Sequence, residues 1–418
     1  MGGGSLAIVA LACCWLPPAA AAQEGAAAGR YGETPAELVP FHGVGEAYWR
    51  FFSEPPQFRG PGRDQPDPDG LEEVRLGVLA PLSGPDQALG ERYLAGVQLA
   101  VDQANAAGGY RGRLPYAIVL RDENQAWGAA ASTAVELRYD SQVWGIVGAL
   151  SDTHSHVMNR VLLKIELPVV NTSGTDPTLT EHAIPWMVRV RPDDRQNGYA
   201  LARRIFQEEG RQRVVVFRSN DRYGRVGTSE FVDAARRLHR PIQLELRFQA
   251  HQTAWPAELE RIRDQRPEAV VIWGPAELAG RVVRALREAG IEAPLYGPDR
   301  LVDPLFLRTA GEHAEGMVLT HPFDPAQVAG AWPPFREAYL ARDGQEPDAV
   351  AAYAFEGTRF LIQAIEEAGL NRPLIRDRMF AAPEPPAAVV PLRFDATFNN
   401  TAPVRLGRIE GGVFRLDG

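Results

Sequence analysis

Residues 74–109 constrain this chain more than any other stretch: VRLGVLAPLSGPDQALGERYLAGVQLAVDQANAAGG. The apolar run at its start reads as a buried strand. Pro81, Gly84 and Pro85 then mark a turn, and an amphipathic helix follows, ending at Gly108 and Gly109. A buried strand that feeds a helix through a glycine-bearing turn is the opening unit of an α/β sheet. In such sheets ligands sit outside the carboxyl ends of the strands, so binding is expected at the turn after the first strand.

The alternation continues from Leu71 onward. A helix over 91–107 places Leu94, Val97, Val101 and Ala104 on one stripe. Strands are expected at 116–120, 143–150 and 168–171, and helices at 126–139 and 152–165. These strands are nearly continuous apolar runs, the pattern produced when helices cover both faces of a parallel sheet. A second series opens after Arg191-Pro192-Asp193-Asp194. It carries helices at 195–209, 227–239, 256–265 and 277–289 and strands at 213–217, 242–248, 269–273 and 294–296. Two successive series imply two α/β lobes, each with its own sheet, and 418 residues exceed one ordinary core. Segments 316–321, 333–342 and 348–368 can return to either lobe. The stretch 392–416 reads as short strands around a Gly411-Gly412 hairpin turn.

Apolar content of 45% with 23% charged residues is that of a soluble globular chain. The formal net charge of −9 argues against nucleic acid or an anionic membrane surface as the main partner. Residues 1–22 read as an export signal: an apolar run from Leu6 to Leu16 leads to Ala20-Ala21-Ala22 just before Gln23. Cleavage there removes Cys13 and Cys14, the two cysteines, and leaves no disulfide or thiol chemistry. Alternatively, Leu11-Ala12-Cys13-Cys14 offers a lipid-anchoring site. Both readings place the protein outside the cytoplasm. Residues 23–70 form an irregular N-terminal extension rich in Ala, Gly and Pro, with an aromatic island at Tyr48, Trp49, Phe51, Phe52 and Phe58. That island either drapes over a lobe or docks a partner.

Catalytic signatures are scarce. With Lys164 the only lysine, no phosphate loop of the G-x-x-x-x-G-K-[ST] type exists, and neither G-x-G-x-x-G nor G-x-S-x-G occurs. His154 and His156 stand two apart on an expected helix and so diverge, which reads as surface histidines and not a metal pair. No metal and no cofactor are expected. Strand ends are more informative. Ser151, Asp152 and Thr153 follow the third strand, and Ser173, Gly174 and Thr175 follow the fourth. Both turns put hydroxyls and free N–H groups at a helix start, suiting an anion or a polar head group, or serving as helix caps.

The pieces GVLAPLSGPDQALG, AVDQANAAGG, RDENQ, VGALSD, LPVVNTSGTDPTLT, RSNDRYG, LYGPD and AGEHAEGMVLTHPFDP, in this order and spacing, give the chain from Val74 to about Leu370 a family likeness. It resembles the type I periplasmic substrate-binding proteins of ABC transporters, in the branched-chain amino acid (Leu/Ile/Val)-binding class. The resemblance implies two doubly wound parallel-sheet lobes joined by three crossover strands. One lobe is 71–190 plus 322–392, the other 191–321 plus 393–418, with crossovers near Val190, His321 and Leu392 acting as hinges. It implies a periplasmic, non-enzymatic protein that captures a small amino-acid-like or amide ligand and delivers it to an ABC permease. A ligand-sensing receptor for a signalling partner is the alternative.

By the same resemblance, Ser173, Gly174 and Thr175 hold the ligand's carboxylate. Tyr223 covers the ligand from the opposite lobe, and Asp299 receives its ammonium group. Leu89 and Pro275 take wall positions that are often aromatic in the family. Asp152 departs from the pattern, standing where relatives that bind free amino acids commonly carry a serine. An ionised aspartate ~4 Å from a ligand carboxylate, at an effective dielectric near 20, costs on the order of 4 kcal/mol. Three resolutions stand open. Asp152 caps the helix and leaves Ser151 or Thr153 to bind; it is protonated; or the ligand carries an amide, hydroxyl or second amine at that point.

Overall fold

The computed structural model describes residues 60–124, 128–181, 184–328, 330–381, 389–395 and 397–417. The expected export signal, Cys13, Cys14 and the aromatic island lie outside the described residues.

The opening apolar run forms β1 (Val74–Ala80), which pairs in parallel with β2 (Tyr116–Asp122) from Val74 opposite Tyr116 to Ala80 opposite Asp122. β3 (Ile146–Val147), β4 (Val169–Asn171) and β5 (Met187–Arg189) complete a parallel sheet of order β2-β1-β3-β4-β5. Its crossovers are α1 (Gln87–Ala106), α2 (Ala129–Tyr139), α3 (Asp152–Ile165) and the short α4 (Thr178–Glu181).

The second series begins with α5 (Asp194–Ala202), started by a reciprocal capping box between Asp193 and Gln196 and continued as a π-type turn over Arg203–Glu208. β6 (Val214–Ser219), β7 (Leu244–Phe248), β8 (Ala269–Trp273), β9 (Leu295–Gly297) and β10 (Val318–His321) follow. Between them lie α6 (Arg222–Arg237), α7 (Pro256–Asp264), α8 (Ala276–Glu288) and α9 (Pro304–Ala310). The tail adds an antiparallel hairpin, β11 (Arg405–Glu410) and β12 (Val413–Leu416), through left-handed Gly411 and Gly412. The sheet order is β12-β11-β10-β9-β8-β6-β7. Both parallel cores therefore repeat one plan, in which the first strand has the second on one side and the third on the other.

The last helices, α10 (Trp332–Asp343), α11 (Ala349–Ala368) and α12 (Arg372–Phe380), return to the first sheet. Phe335, Tyr339, Ala354, Phe355 and Ile365 share a core with Leu76 and Val78 of β1 and with Tyr93 and Val97 of α1. Gly96 lets α1 and α11 approach, because a Cβ there would strike the Ala351 carbonyl. Val190, Phe323 and Leu392 pack in this core, whereas Leu319 and Ile409 pack in the core of the second sheet. The chain thus passes between the two cores three times, near 190, 321 and 392. Two passages are laced together: Asn400 Nδ2 donates to the carbonyls of Val190 (2.6 Å) and Pro391 (2.9 Å), and Arg189 N–H donates to Phe398 O.

Some elements depart from expectation. β3 has two residues, not the eight of 143–150. β5 was not expected, since a three-residue strand ending in a buried arginine has no apolar run. Arg189 is fully buried and satisfied by Asn399, Asp193 and the Asp176 carbonyl. α9 and α12 were hidden by Pro304 and Pro373, which occupy first-turn positions after the caps Asp303 and Asn371. Residues 60–67 lie on the first lobe, where Asn371 Nδ2 donates to the carbonyls of Gly62, Arg63 and Gln65.

Candidate functional site

The repeated strand order creates two switch points, β1/β3 and β6/β8, and side chains from the carboxyl-end turns of the two sheets meet. From the first lobe come the starts of α3 and the 173–176 loop. From the second come the start of α6 and the turn Asp299–Leu301 after β9.

Ser151 is the N-cap of α3, its Oγ accepting from His154 N–H, so Asp152 is not the cap. Buried Glu123 fixes this turn by accepting from the N–H groups of Leu150 (2.8 Å) and Ser151 (2.5 Å), and it faces His154 Nδ1. Asp152 is buried and turns to the neighbouring loop. Its Oδ1 accepts from the N–H groups of Thr175 (2.8 Å) and Asp176 (3.2 Å), and its Oδ2 accepts from Arg300 Nη2 (3.1 Å). Gly174 makes room, since a Cβ there would lie 2.9 Å from Asp152 Oδ1. Asp152 is thus resolved in a fourth way, absent from the three left open by the sequence: the opposite lobe supplies a guanidinium.

Arg300 also donates to Ser173 O (3.0 Å) and stacks over the Tyr223 ring with its Cζ 4.3 Å from the centroid. One residue thereby joins Asp152, Ser173 and Tyr223. Asp299 is held from within its own surroundings. Arg191 Nε and Nη2 donate to its Oδ2 at 3.1 and 2.7 Å, and Asn197 Nδ2 to its Oδ1 at 3.3 Å. Thr175 Oγ1 donates to Asp194, which has no cationic partner within 4 Å among the described residues. Burial pushes the Asp194 carboxyl well up; Arg300 opposes this, while Asp152 and Asp299 add to it. Burial raises the Tyr223 hydroxyl, with Arg300 opposing. Burial works against the charge of Arg300, but Asp152, Tyr223, Asp194 and Asp299 outweigh it and hold that guanidinium above its ordinary value.

The other expected positions lie further out. Leu89 is half-buried on α1 and packs on the first core. Thr153 is half-buried in the first turn of α3, and Pro275 is exposed at the start of α8. Trp273 is fully buried, its indole pressed on Gly227 of α6. The histidines are not surface groups. Both are half-buried, and His156 Nε2 accepts from Arg222 Nη2 (2.8 Å) beside Asp176. Arg222 Nε donates to Asp176 Oδ2 (2.7 Å), which makes this a second link between the lobes. Arg195 with Glu181 (2.8 Å) and Arg92 with Asp303 (2.5 Å) are two more. Arg191, Asp194, Arg222 and Arg300 were missed from sequence. The available signal was the acid–base adjacency of Asp299-Arg300 facing an unexplained acid at Asp152.

With this geometry in hand, the chain is placed by similarity. It belongs to the Periplasmic binding protein family, which it matches over residues 73–412. It is similar to an amino acid binding protein of Pseudomonas aeruginosa, 26% identical over 312 residues that span 72% of this chain and 81% of the relative. It is also similar to the Leu/Ile/Val-binding protein of Escherichia coli K12, 23% identical over 301 residues, 72% and 80% of the two chains. Among solved structures, a leucine binding protein of Thermotoga maritima superposes with a TM-score of 0.76 at 23% identity, covering 82% of this chain and 98% of that one. A solute binding protein of R. palustris in complex with benzoate superposes at 0.74 and 19% identity, covering 83% and 96%. These superpositions fix the fold: two parallel-sheet lobes of the type I periplasmic binding protein kind.

Proposed function

We propose that the chain is the substrate-binding subunit of an ABC importer, exported by its first 22 residues to the periplasm. It captures a small polar molecule between lobes 71–190 plus 322–392 and 191–321 plus 393–418 and presents the closed form to a membrane permease. The observation that carries this reading is the convergence of Asp152, Ser173 and Thr175 from one lobe with Tyr223, Asp299 and Arg300 from the other. The relatives' names, amino acid and Leu/Ile/Val binding, support a ligand of that size. Work is done by differential affinity: a ligand that contacts both faces favours the closed form over the open one.

Protein purified without denaturation and then unfolded should release its captured molecule for mass spectrometry. Adding that compound back at about 100 times its Kd should stabilise the fold by ~2.7 kcal/mol and reduce the radius of gyration in solution scattering. A protein that releases nothing, and that no small solute stabilises or compacts, overturns the reading.

A further inference from the structure

The recognition groups of the cleft are unevenly spent. The N–H groups of Thr175 and Asp176, placed to grip a ligand carboxylate, are occupied by Asp152 Oδ1. Asp299, placed to receive an ammonium group, already accepts three hydrogen bonds from Arg191 and Asn197. A zwitterionic amino acid therefore finds both of its ends pre-empted. Its ammonium group would meet Asp299 already paired with Arg191. Asp194, without a cationic partner among the described residues, accepts from Thr175 Oγ1 and Asn197 Nδ2 and is pushed toward its neutral form by burial, so an ammonium group there would bear the cost of desolvation.

Asp194 apart, what remains unspent is of one kind. Arg300 uses only Nη2 in hydrogen bonds; its Nε and Nη1 have no partner among the described residues, and the side chain is 24% exposed, so it borders open space. Ser173 Oγ and Tyr223 Oη are buried without hydrogen-bond partners, in residues 7% and 8% exposed. Both residues touch Arg300, one through its carbonyl and one through its ring. Two unpartnered hydroxyls, on residues that both touch Arg300, and the free edge of its guanidinium lack an acceptor-rich group. A carboxylate supplies it, because its two oxygens match the planar fork of an arginine.

Resting on the ligand-capturing reading above, we propose that the cleft takes a small carboxylate without an α-ammonium group, bound by Arg300 Nε and Nη1 with Ser173 Oγ and Tyr223 Oη. Arg300 then bridges Asp152 and the ligand, as Arg92 bridges Asp303 and Asp348 elsewhere in the chain. The acids nearby do not oppose it: Asp152 and Asp299 are each paired with a guanidinium, and Asp194 is driven toward its neutral form by burial.

The test is calorimetry on the full chain with four probes sharing one isobutyl side chain (4-methylpentanoate, leucine, leucinamide and 4-methylpentanamide), with benzoate as a fifth. The acids should bind, and leucine should bind at least about tenfold more weakly than 4-methylpentanoate. Arg300→Gln should weaken the acids at least about tenfold, and Ser173→Ala, a milder change, should weaken them in the same direction. Tighter binding of leucine or leucinamide, or acid affinity unchanged in both variants, overturns the inference while leaving capture intact. If no acid binds at ~10 mM, the inference also falls. In that case capture stands only if the natively purified protein releases a molecule of another class.

Discussion

Asp152→Asn removes the charge that meets Arg300 across the cleft while keeping an oxygen for the N–H groups of Thr175 and Asp176. The pair is 3.1 Å apart, so its gross attraction at an effective dielectric near 20 is about 5 kcal/mol. Desolvation of both groups offsets much of this. Breaking one side of a fully buried pair costs roughly 3–5 kcal/mol, and the exposed portion of Arg300 lowers the expectation to about 2 kcal/mol. A double-mutant cycle isolates that term: Asp152→Asn, Arg300→Gln and the double variant, each measured by urea unfolding, should show a coupling of about 2 kcal/mol. Because the pair spans the lobes, losing it should also change the ratio of closed to open forms about 30-fold, read as a larger radius of gyration in solution scattering. A coupling below about 0.5 kcal/mol, with unchanged scattering, would refute the assignment of Asp152 and Arg300 as a clasp.

Three further outcomes are expected. Burial pushes Glu230 up to about 7, with Arg195 opposing and Asp193, Glu181 and Asp233 adding to the rise. Its folded value lies above the unfolded one, so its contribution is complete below about pH 4.5 and is lost as pH rises toward 7, by about 3 kcal/mol; Glu230→Gln should flatten that part of a pH–stability curve. Gly96→Ala should lower the melting temperature through a cost of about 1–3 kcal/mol, because its methyl meets the Ala351 carbonyl; a rise in Tm, as helix propensity alone would give, counts against that packing. Asn371→Ala removes the cap of α12 and three bonds to the 62–65 carbonyls, costing about 2 kcal/mol and speeding proteolysis near residues 60–70 ahead of the rest of the chain.

Much of the architecture was legible because it is written in local chemistry. β1 is a continuous apolar run, and α3 runs from Asp152 to Ile165 as its periodicity predicts. The turn residues Gly411 and Gly412 mark the tail hairpin. Elements that owe their existence to tertiary partners were not legible. β5 survives on bonds from Arg189 to residues more than two hundred positions away, and β3 is clipped to two residues where the chain bends toward Ser151. The cleft divides along the same line. Ser173 and Thr175 announce themselves as strand-end groups, and Tyr223 is pointed to by the family resemblance. Arg300 is just the neighbour of an expected acid, and its role appears only when the second lobe is laid over the first. Asp152 looked repulsive because its partner lies 148 positions downstream.

The lacing of the chain passages near 190 and 391–400 has a mechanical outcome. Asn400 grips backbone on both, and Arg189 ties into Phe398, so these two connections cannot swivel separately. Of the three passages between the two cores, these two therefore form one joined connection, and the passage near 321 is the other. On the ligand-capturing reading proposed above, a swing about these connections would bring the same arginines back to the same acids.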